Sequence, residues 1–109
     1  MTDQRVTSAA RRRLPDRRGC ETFELESNGQ LYLATVSHFR DGSLGEIFLN
    51  SVKLGSAIDT AARDSAIVAS IALQYGADLD VIRKALCRDA RGNPSGPLGT
   101  ALDMLAGQT

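Results

Sequence analysis

The sequence is poor in aromatic side chains and in histidine. Its 109 residues include no tryptophan, the aromatic fraction is 5%, and the single histidine is His38. Proteins that bind single-stranded nucleic acid without sequence preference stack bases on aromatic rings, so this composition argues against such a platform. His38 follows an alternating strand pattern and has no Ser or Cys partner in register. We therefore interpret it as a surface residue rather than a catalytic base.

Cysteine and long apolar runs are also scarce. Cys20 and Cys87 lie 67 positions apart, which excludes a disulfide framework and a C-x-x-C redox or zinc pair. We interpret both as structural thiols in a reduced, cytoplasmic protein. The longest apolar run, residues 66–73, is interrupted by Ser70 and is far shorter than the roughly 20 residues that span a bilayer. No membrane partner is expected.

The chain has no net charge, but its charge is unevenly distributed. Residues 1–19 contain six Arg and two acidic residues, a net charge of +4, and residues 20–109 carry a net charge of −4. The N-terminal stretch is polar and has no sustained hydrophobic period. We therefore predict a flexible Arg-rich arm over residues 1–19, followed by one domain over residues 20–109.

The first half of the domain is predicted to form three strands. Residues 20–27 and 30–38 alternate between apolar and polar side chains, and Asn28-Gly29 between them is a strong hairpin signal. Asp41-Gly42 is a second turn signal, and residues 44–50 form a third strand. Two tight turns that join three consecutive strands predict an antiparallel meander.

The second half changes to helical spacing. Ser56 and Asp59 form an acidic capping box before a helix over residues 57–75. Two further helices are expected, one over residues 79–87 after the cap Asp78 and one over residues 98–106 after Pro97. The long helix is expected to bury one apolar face, comprising Ile58, Ala62, Ser65, Ala69 and Ala72, with Ile67 and Ile71 widening it. The predicted fold class is α+β, a three-stranded antiparallel meander followed by three helices packed on the sheet.

Two loops contain candidate ligand-binding residues. Lys53, Gly55 and Ser56 precede the long helix, where a cation and free helix N–H groups could hold an anion or a nucleotide phosphate. The alternative is an ordinary strand-to-helix turn with an N-cap, because no Walker A or G-x-G-x-x-G pattern is present.

The second candidate loop follows the predicted second helix. It is polar and rich in Gly and Pro, which suits a ligand or partner site. The alternative is a well-formed turn that leads into the last helix. The candidate binding residues are Arg88, Arg91, Asn93 and Ser95.

The arginines of the arm are candidates for phosphate contacts with nucleic acid. They are Arg11, Arg12, Arg13, Arg17 and Arg18. Such contacts would supply salt-dependent affinity without sequence readout. The alternative is a solvated linker.

Several sequence blocks follow one another in a recognisable order. They are CETFELESNGQLYLATVSHF, DGSLGEIFLN, KLGS and GADLDVIRKAL, followed by a Gly/Pro loop and a short helix. This order resembles the TSCPD domain, which is found at the C-terminus of adenosylcobalamin-dependent ribonucleotide reductases and in small free-standing bacterial proteins. The resemblance runs from Cys20 to Leu105, about four-fifths of the chain, and the preceding segment RRRLP looks like the linker that leads into such domains. The family's Thr-Ser-Cys-Pro-Asp motif would fall on residues 94–98. There Ser95 and Pro97 are retained, but the Cys and Asp positions hold Gly96 and Leu98.

The resemblance implies an association with deoxyribonucleotide synthesis. The leading hypothesis is a non-catalytic accessory or regulatory module that binds a protein, nucleotide or nucleic acid, with a reductase catalytic subunit as candidate partner and a homodimer as a further candidate. The alternatives are a reductase-derived fragment that acts in trans and an Arg-arm nucleic-acid-binding protein. The chain is expected to bind no cofactor or metal itself, and adenosylcobalamin enters only through the family's reductases.

Overall fold

Three consecutive antiparallel strands form the sheet. The computed structural model describes residues 10–16, 18–53 and 55–107. Within them β1 (Cys20–Ser27), β2 (Gln30–His38) and β3 (Leu44–Ser51) lie in the order β1-β2-β3. The turn between β1 and β2 has φ values of 53° at Asn28 and 77° at Gly29, the left-handed conformation that a type I′ hairpin requires. The predicted meander is confirmed.

Three helices follow the sheet, as predicted. They are α1 (Ala57–Gln74), α2 (Leu79–Ala85) and α3 (Pro97–Leu105). The main difference from the sequence prediction is that α2 ends two residues earlier. In the packing, α1 lies against β3, α3 lies against β1, and α2 lies against α3. None of the helices in the described part of the chain is long and apolar enough to cross a membrane.

The core lies between one face of the sheet and the two longer helices. The sheet contributes every second residue, including Leu25, Val36 and Ile47, because alternate side chains of a strand point to the same face. The helices contribute mostly small side chains and a few leucines: Ala62, Ala66, Ala69, Leu73, Leu98, Ala101 and Leu102. The alanines allow α1 to approach the sheet closely.

Polar side chains of α1 occupy the outer edge of β3. The bonds run from Ser51 N to Asp59 Oδ1 (2.8 Å), from Ile47 N to Ser70 Oγ (2.9 Å), from Ser70 Oγ to Ile47 O (2.9 Å) and from Gln74 Nε2 to Gly45 O (3.0 Å). All three α1 side chains are buried. Because they use backbone groups that an edge strand otherwise presents to a new strand, α1 blocks strand addition at these positions.

The buried face of α1 differs from the predicted one. Ile58, Ile67 and Ile71 are 40–48% exposed, whereas Asp59, Ser70 and Gln74 are buried. The prediction was wrong at these positions because it assumed packing on the flat face of a sheet, where apolar residues are buried. Instead, part of α1 lies along a strand edge, where backbone groups require polar partners.

The described part of the arm contacts the domain. Arg11 Nε donates to Gln74 Oε1 (2.6 Å), and Arg12 pairs with Asp41 (2.8 Å). Arg18 pairs with Glu46 (3.1 Å). Arg13 is exposed, as are the three arginines that make these contacts. Arg17 lies outside the described residues, as do residues 1–9. The flexibility of the arm stays a prediction.

Candidate functional site

The fold brings both candidate ligand loops to the same end of the molecule. The side chain of Asn28, in the β1–β2 turn, donates to Ser95 O at 3.0 Å. Val52, just after β3, donates its N–H to Leu31 O at 3.2 Å, close to the same turn. The loop before α1 and the loop before α3 therefore both lie near the β1–β2 turn, although they are about 40 positions apart in the sequence.

The N-terminus of α1 already holds an anion, the carboxylate of Asp59. Its Oδ2 accepts from Gly55 N (3.1 Å) and its Oδ1 from Ser51 N (2.8 Å), and the residue is 1% exposed. These backbone donors hold the pKa of Asp59 below its ordinary value. Ser56 Oγ donates to Lys53 O and accepts from Asp59 N, which confirms Ser56 as the N-cap. The return bond of the predicted capping box is different, because the Asp59 carboxylate accepts from Gly55 N and Ser51 N while Ser56 N donates to Lys53 O. The sequence revealed this cap but not the bond across to β3.

Arg88, a candidate ligand-binding residue, is paired with Asp103 of α3. Its guanidinium donates to both carboxylate oxygens, at 2.8 and 2.9 Å. It also donates to Gly92 O and Arg83 O. The hydrogen bonds from Arg88, and secondarily those from Arg83, lower the pKa of Asp103 to about 2. These four hydrogen bonds from Arg88 thus connect α2, the following loop and α3.

The rest of this loop is a tight turn organised by Asp89. Its Oδ1 accepts from the backbone N–H groups of Arg91 and Asn93, both at 2.9 Å. These bonds, with that from Asn93 first, lower the pKa of Asp89. Arg91, Asn93 and Ser95 are exposed. Their side chains are therefore better placed to meet a ligand than that of Arg88.

Between the two candidate loops, the structure adds a groove that the sequence did not reveal. It has a volume of about 400 Å³. One wall comes from α1 and includes Ile58 and Ser65, and the other includes Cys87 and residues 96–99 at the start of α3. Both predicted loops adjoin it, because Ser56 is two residues from Ile58 and Ser95 directly precedes Gly96.

A second depression extends this groove along α1. Its volume is about 630 Å³, and it shares Ser65, Leu86 and Leu98 with the first. Val68 of α1 and Val81 of α2 line it and are 66% and 64% exposed. We call the two depressions together the helix groove. In the sequence, Ile58, Ser65 and Ala72 recur every seven residues and so share one face of the helix. That spacing is the same for residues that line a groove and for residues buried in a core.

Gly99 allows the loop before α3 to pack closely on that helix. A Cβ at Gly99 would lie 2.9 Å from Pro94 Cβ, whereas a Cβ at Gly96 would meet nothing within 4 Å. We expect Gly99→Ala to reduce the free energy of unfolding by about 1–3 kcal/mol, because the rigid proline must move. Gly96→Ala, the matched control, should cost less than about 1 kcal/mol. Urea unfolding followed by circular dichroism measures both, and equal effects would contradict the close-approach argument.

The two cysteines are at opposite ends of β1. Cys20 begins the strand, with Sγ 3.3 Å from Ser37 Oγ, and Cys87 lies in the helix groove, where its carbonyl accepts from Ser95 N. Ser95 also accepts from Asn28, which follows the end of β1, so Cys87 lies near that end. At about 3.4 Å per strand residue the two cysteines are roughly 20 Å apart, too far for a disulfide. Both are free and exposed. Among the described residues, no group of His, Cys, Asp or Glu is arranged to hold a metal ion.

Comparison with known proteins shows similarity to vitamin B12-dependent ribonucleotide reductases. The reductase of Bradyrhizobium diazoefficiens is 32% identical over 98 residues, which cover 90% of this chain and 8% of the reductase. The Agrobacterium fabrum reductase is 36% identical over 73 residues, covering 67% of the chain and 6% of that protein. The Rhodopirellula baltica reductase is 38% identical over 77 residues, covering 71% and 7%.

The chain is therefore similar to one small segment of these reductases and spans less than a tenth of their length. No family model matches the chain, and no solved structure matches it.

Proposed function

We propose that this chain is a reductase-derived accessory module of the TSCPD type, which binds the catalytic part of a ribonucleotide reductase. The observation that carries the proposal is the extent of the similarity, which covers nine-tenths of this chain but 8% of the Bradyrhizobium reductase. In that relative the similar segment is covalently joined to the rest of the enzyme. We propose that this chain contacts the catalytic part through a binding surface of its own.

The arm supports the same proposal. The 98 aligned residues exceed the 90 residues of the domain, so the alignment includes part of residues 1–19. Arg11, Arg12 and Arg18 contact acceptors on the domain, which makes them less available for phosphates. We propose that the arm corresponds to the segment that leads into this domain in the larger reductases, rather than to a dedicated nucleic-acid site.

The helix groove is the proposed docking surface. Its lining is mostly aliphatic, and the two valines that flank it, Val68 and Val81, are largely exposed. Exposed apolar surface of this kind favours a protein interface over a polar substrate site. The segment that replaces the family's motif, residues 94–98, runs along its edge. A reductase element with aliphatic side chains would fit this surface.

The chemistry of the reaction is proposed to belong to the partner. The two thiols of this chain are roughly 20 Å apart by strand geometry, so they would not act as one redox pair. The groove has few polar lining groups, namely Tyr32, Asp64, Ser65 and Cys87, which do not fit a large cofactor rich in amide groups. Adenosylcobalamin would then be bound by the catalytic part.

The test is binding and rescue in trans. A B12-dependent reductase truncated of the similar segment is mixed with this chain, and association and turnover are measured. We expect binding and an increase in turnover. Val68→Glu should weaken binding at least about tenfold, because it places a charge in an apolar interface. Tyr75→Glu is the matched control, since Tyr75 is 46% exposed and lies outside the groove.

Absence of both binding and rescue would contradict the proposal, and equal binding by Val68→Glu would contradict the docking surface. A chain that fails to bind the reductase is next titrated with ATP. Shifts in the amide signals of residues 91–95 or 55–57 would then support the nucleotide-binding alternative at Arg91, Asn93, Ser95 and the Lys53 loop. Loss of rescue in a Cys20→Ser/Cys87→Ser variant would support the thiol version of the trans-acting fragment.

A further inference from the structure

The face of the sheet that points away from the helices carries an apolar patch. Strand alternation and register place Leu31 and Leu33 of β2 on this face, next to Phe48 of β3 and Val52 just beyond it. Their exposed fractions are 47%, 42%, 47% and 60%. The outer face of an antiparallel sheet is commonly polar when water covers it. We call these four residues the outer patch, and we propose that a second copy of this chain covers it in a two-fold symmetric dimer.

The patch continues past β3 onto α1. Asp59, Ser70 and Gln74 bond to the edge of β3, and helical periodicity places Ile67 and Ile71 on the next side of α1, beyond that edge. The two isoleucines are 48% and 40% exposed. Exposed apolar side chains thus occur from the centre of the sheet to the adjoining side of the helix, with Asn50 between Phe48 and Val52.

The outer face of the sheet and the adjoining side of α1 together have nearly the size of a dimer interface. Three strands of about eight residues, spaced about 4.8 Å apart with about 3.4 Å per residue, cover roughly 400 Å² in all, including polar residues such as Glu24, Glu26 and Asn50. The helix beside β3 adds a strip about 10 Å wide, for a total of roughly 650 Å². Standard interfaces bury about 800 Å² on each partner, so this area approaches that size, with the outer patch as its apolar part.

The charges at the margins favour a second copy over an unrelated partner. Glu24 and Glu26 flank the patch on the β1 side, and both are exposed. Lys53, directly after Val52, flanks it on the β3 side and is also exposed. An interface with a two-fold axis places the same surface on both partners, so its margins must be complementary to each other.

A two-fold axis along β2 meets this requirement. It places β1 of one copy over β3 of the other. Residues that are paired across the three strands form a row, and each row of one copy then lies opposite the same row of the other. The row that contains Glu26, Leu31 and Val52 then brings each Glu26 close to the partner copy's end of β3, where Lys53 follows. The two leucines of β2 lie near the axis. Glu26 and Lys53 therefore form two equivalent pairs in the dimer, one on each side of the apolar centre.

Sedimentation velocity over a range of protein concentrations tests the proposal. The wild-type chain should approach twice its monomer mass of 11.7 kDa as concentration rises. Leu33→Glu should raise the dimer dissociation constant about 30-fold per copy, hence roughly 1,000-fold in all, because each partner then buries a carboxylate at the centre. Val81→Glu, at an exposed residue of α2 outside this surface, should dimerise like the wild type.

Charge reversal tests the orientation. Glu26→Lys and Lys53→Glu should each weaken the dimer, and the double variant should recover most of the affinity. A chain that remains monomeric at every concentration would overturn the proposal and assign the patch to a different partner. A dimer that Val68→Glu disrupts and Leu33→Glu does not would assign the interface to the helix groove and would equally overturn it.

A cross-linking experiment does not depend on how well a destabilised dimer folds. In a Cys20→Ser/Cys87→Ser background, Leu33→Cys should be cross-linked rapidly between copies by a thiol-specific reagent with two reactive ends and a span of about 10 Å, because the axis places the two β2 strands opposite each other at the spacing of stacked sheets. Val81→Cys, on α2, should not do so under the same conditions. Slow cross-linking of Leu33→Cys, or equal rates for both variants, would contradict the axis. None of these outcomes depends on reductase binding.

Discussion

Replacing Asp59 by alanine is expected to lower the melting temperature by roughly 10–15 °C. The carboxylate is 1% exposed and accepts hydrogen bonds from Ser51 N and Gly55 N. Its removal leaves these two donors without their partner and disconnects the end of β3 from the start of α1. The cost exceeds that of an ordinary cap because Asp59 joins two elements of the fold.

Two further variants make this prediction specific. Asp59→Asn should have an intermediate effect, because its amide oxygen accepts one bond while its NH₂ group faces another donor. Asp64→Ala, an exposed carboxylate on the same helix, should shift the melting temperature by less than about 3 °C. Thermal unfolding followed by circular dichroism measures all three. A melting temperature for Asp59→Ala within the range of Asp64→Ala would show that the bonds to β3 contribute little.

Replacing Asp103 by alanine is expected to reduce the free energy of unfolding by about 2–3 kcal/mol. Asp103 accepts from Arg88 and Arg83, whose side chains are 23% and 13% exposed. Without the carboxylate, two cations remain close together in a partly buried position. Because these residues join α2 and α3, the second wall of the helix groove should loosen. Asp103→Ala should therefore also weaken the proposed binding to a reductase.

The contribution of Asp103 should depend on pH in a defined direction. Its pKa is about 2 in the folded chain, below the ordinary value of 3.8. The stabilisation is therefore fully present above about pH 4 and is lost as the pH falls from there through 2. Urea unfolding at several pH values should show the wild type and Asp103→Ala converging in stability over that window. A constant difference would contradict the assignment.

Asp80→Ala provides the control for the same cluster. Asp80 also pairs with Arg83, at 3.3 Å, but its side chain is 57% exposed. Exposed ion pairs contribute little because water screens them, so we expect a change within about 0.5 kcal/mol. An effect equal to that of Asp103→Ala would mean that the charge of Arg83, rather than the connection between the two helices, determines stability.

The candidate site was predictable only in part. The polar loops around Ser56 and Ser95 were identified from local composition, and the structure brings them to one end of the molecule. Arg88 was identified as a candidate ligand-binding residue because it belongs to a polar loop rich in Gly and Pro. Asp103, which holds it, is 15 positions away and carries no local signal for the pairing. The helix groove was also missed, because hydrophobic periodicity does not distinguish apolar residues that line an open groove from those in a core.

The sequence by itself determined the order and nearly all the boundaries of the elements. Asn28-Gly29 requires a hairpin, the spacing of Ser56 and Asp59 starts a helix, and Pro97 opens another, because each acts through the backbone of its neighbours. Only the tertiary structure decided which side of α1 is buried. That choice depends on the unpaired backbone of β3, whose groups need the distant side chains of Asp59, Ser70 and Gln74. The same choice leaves Ile58 and Val68 of α1 exposed at the helix groove.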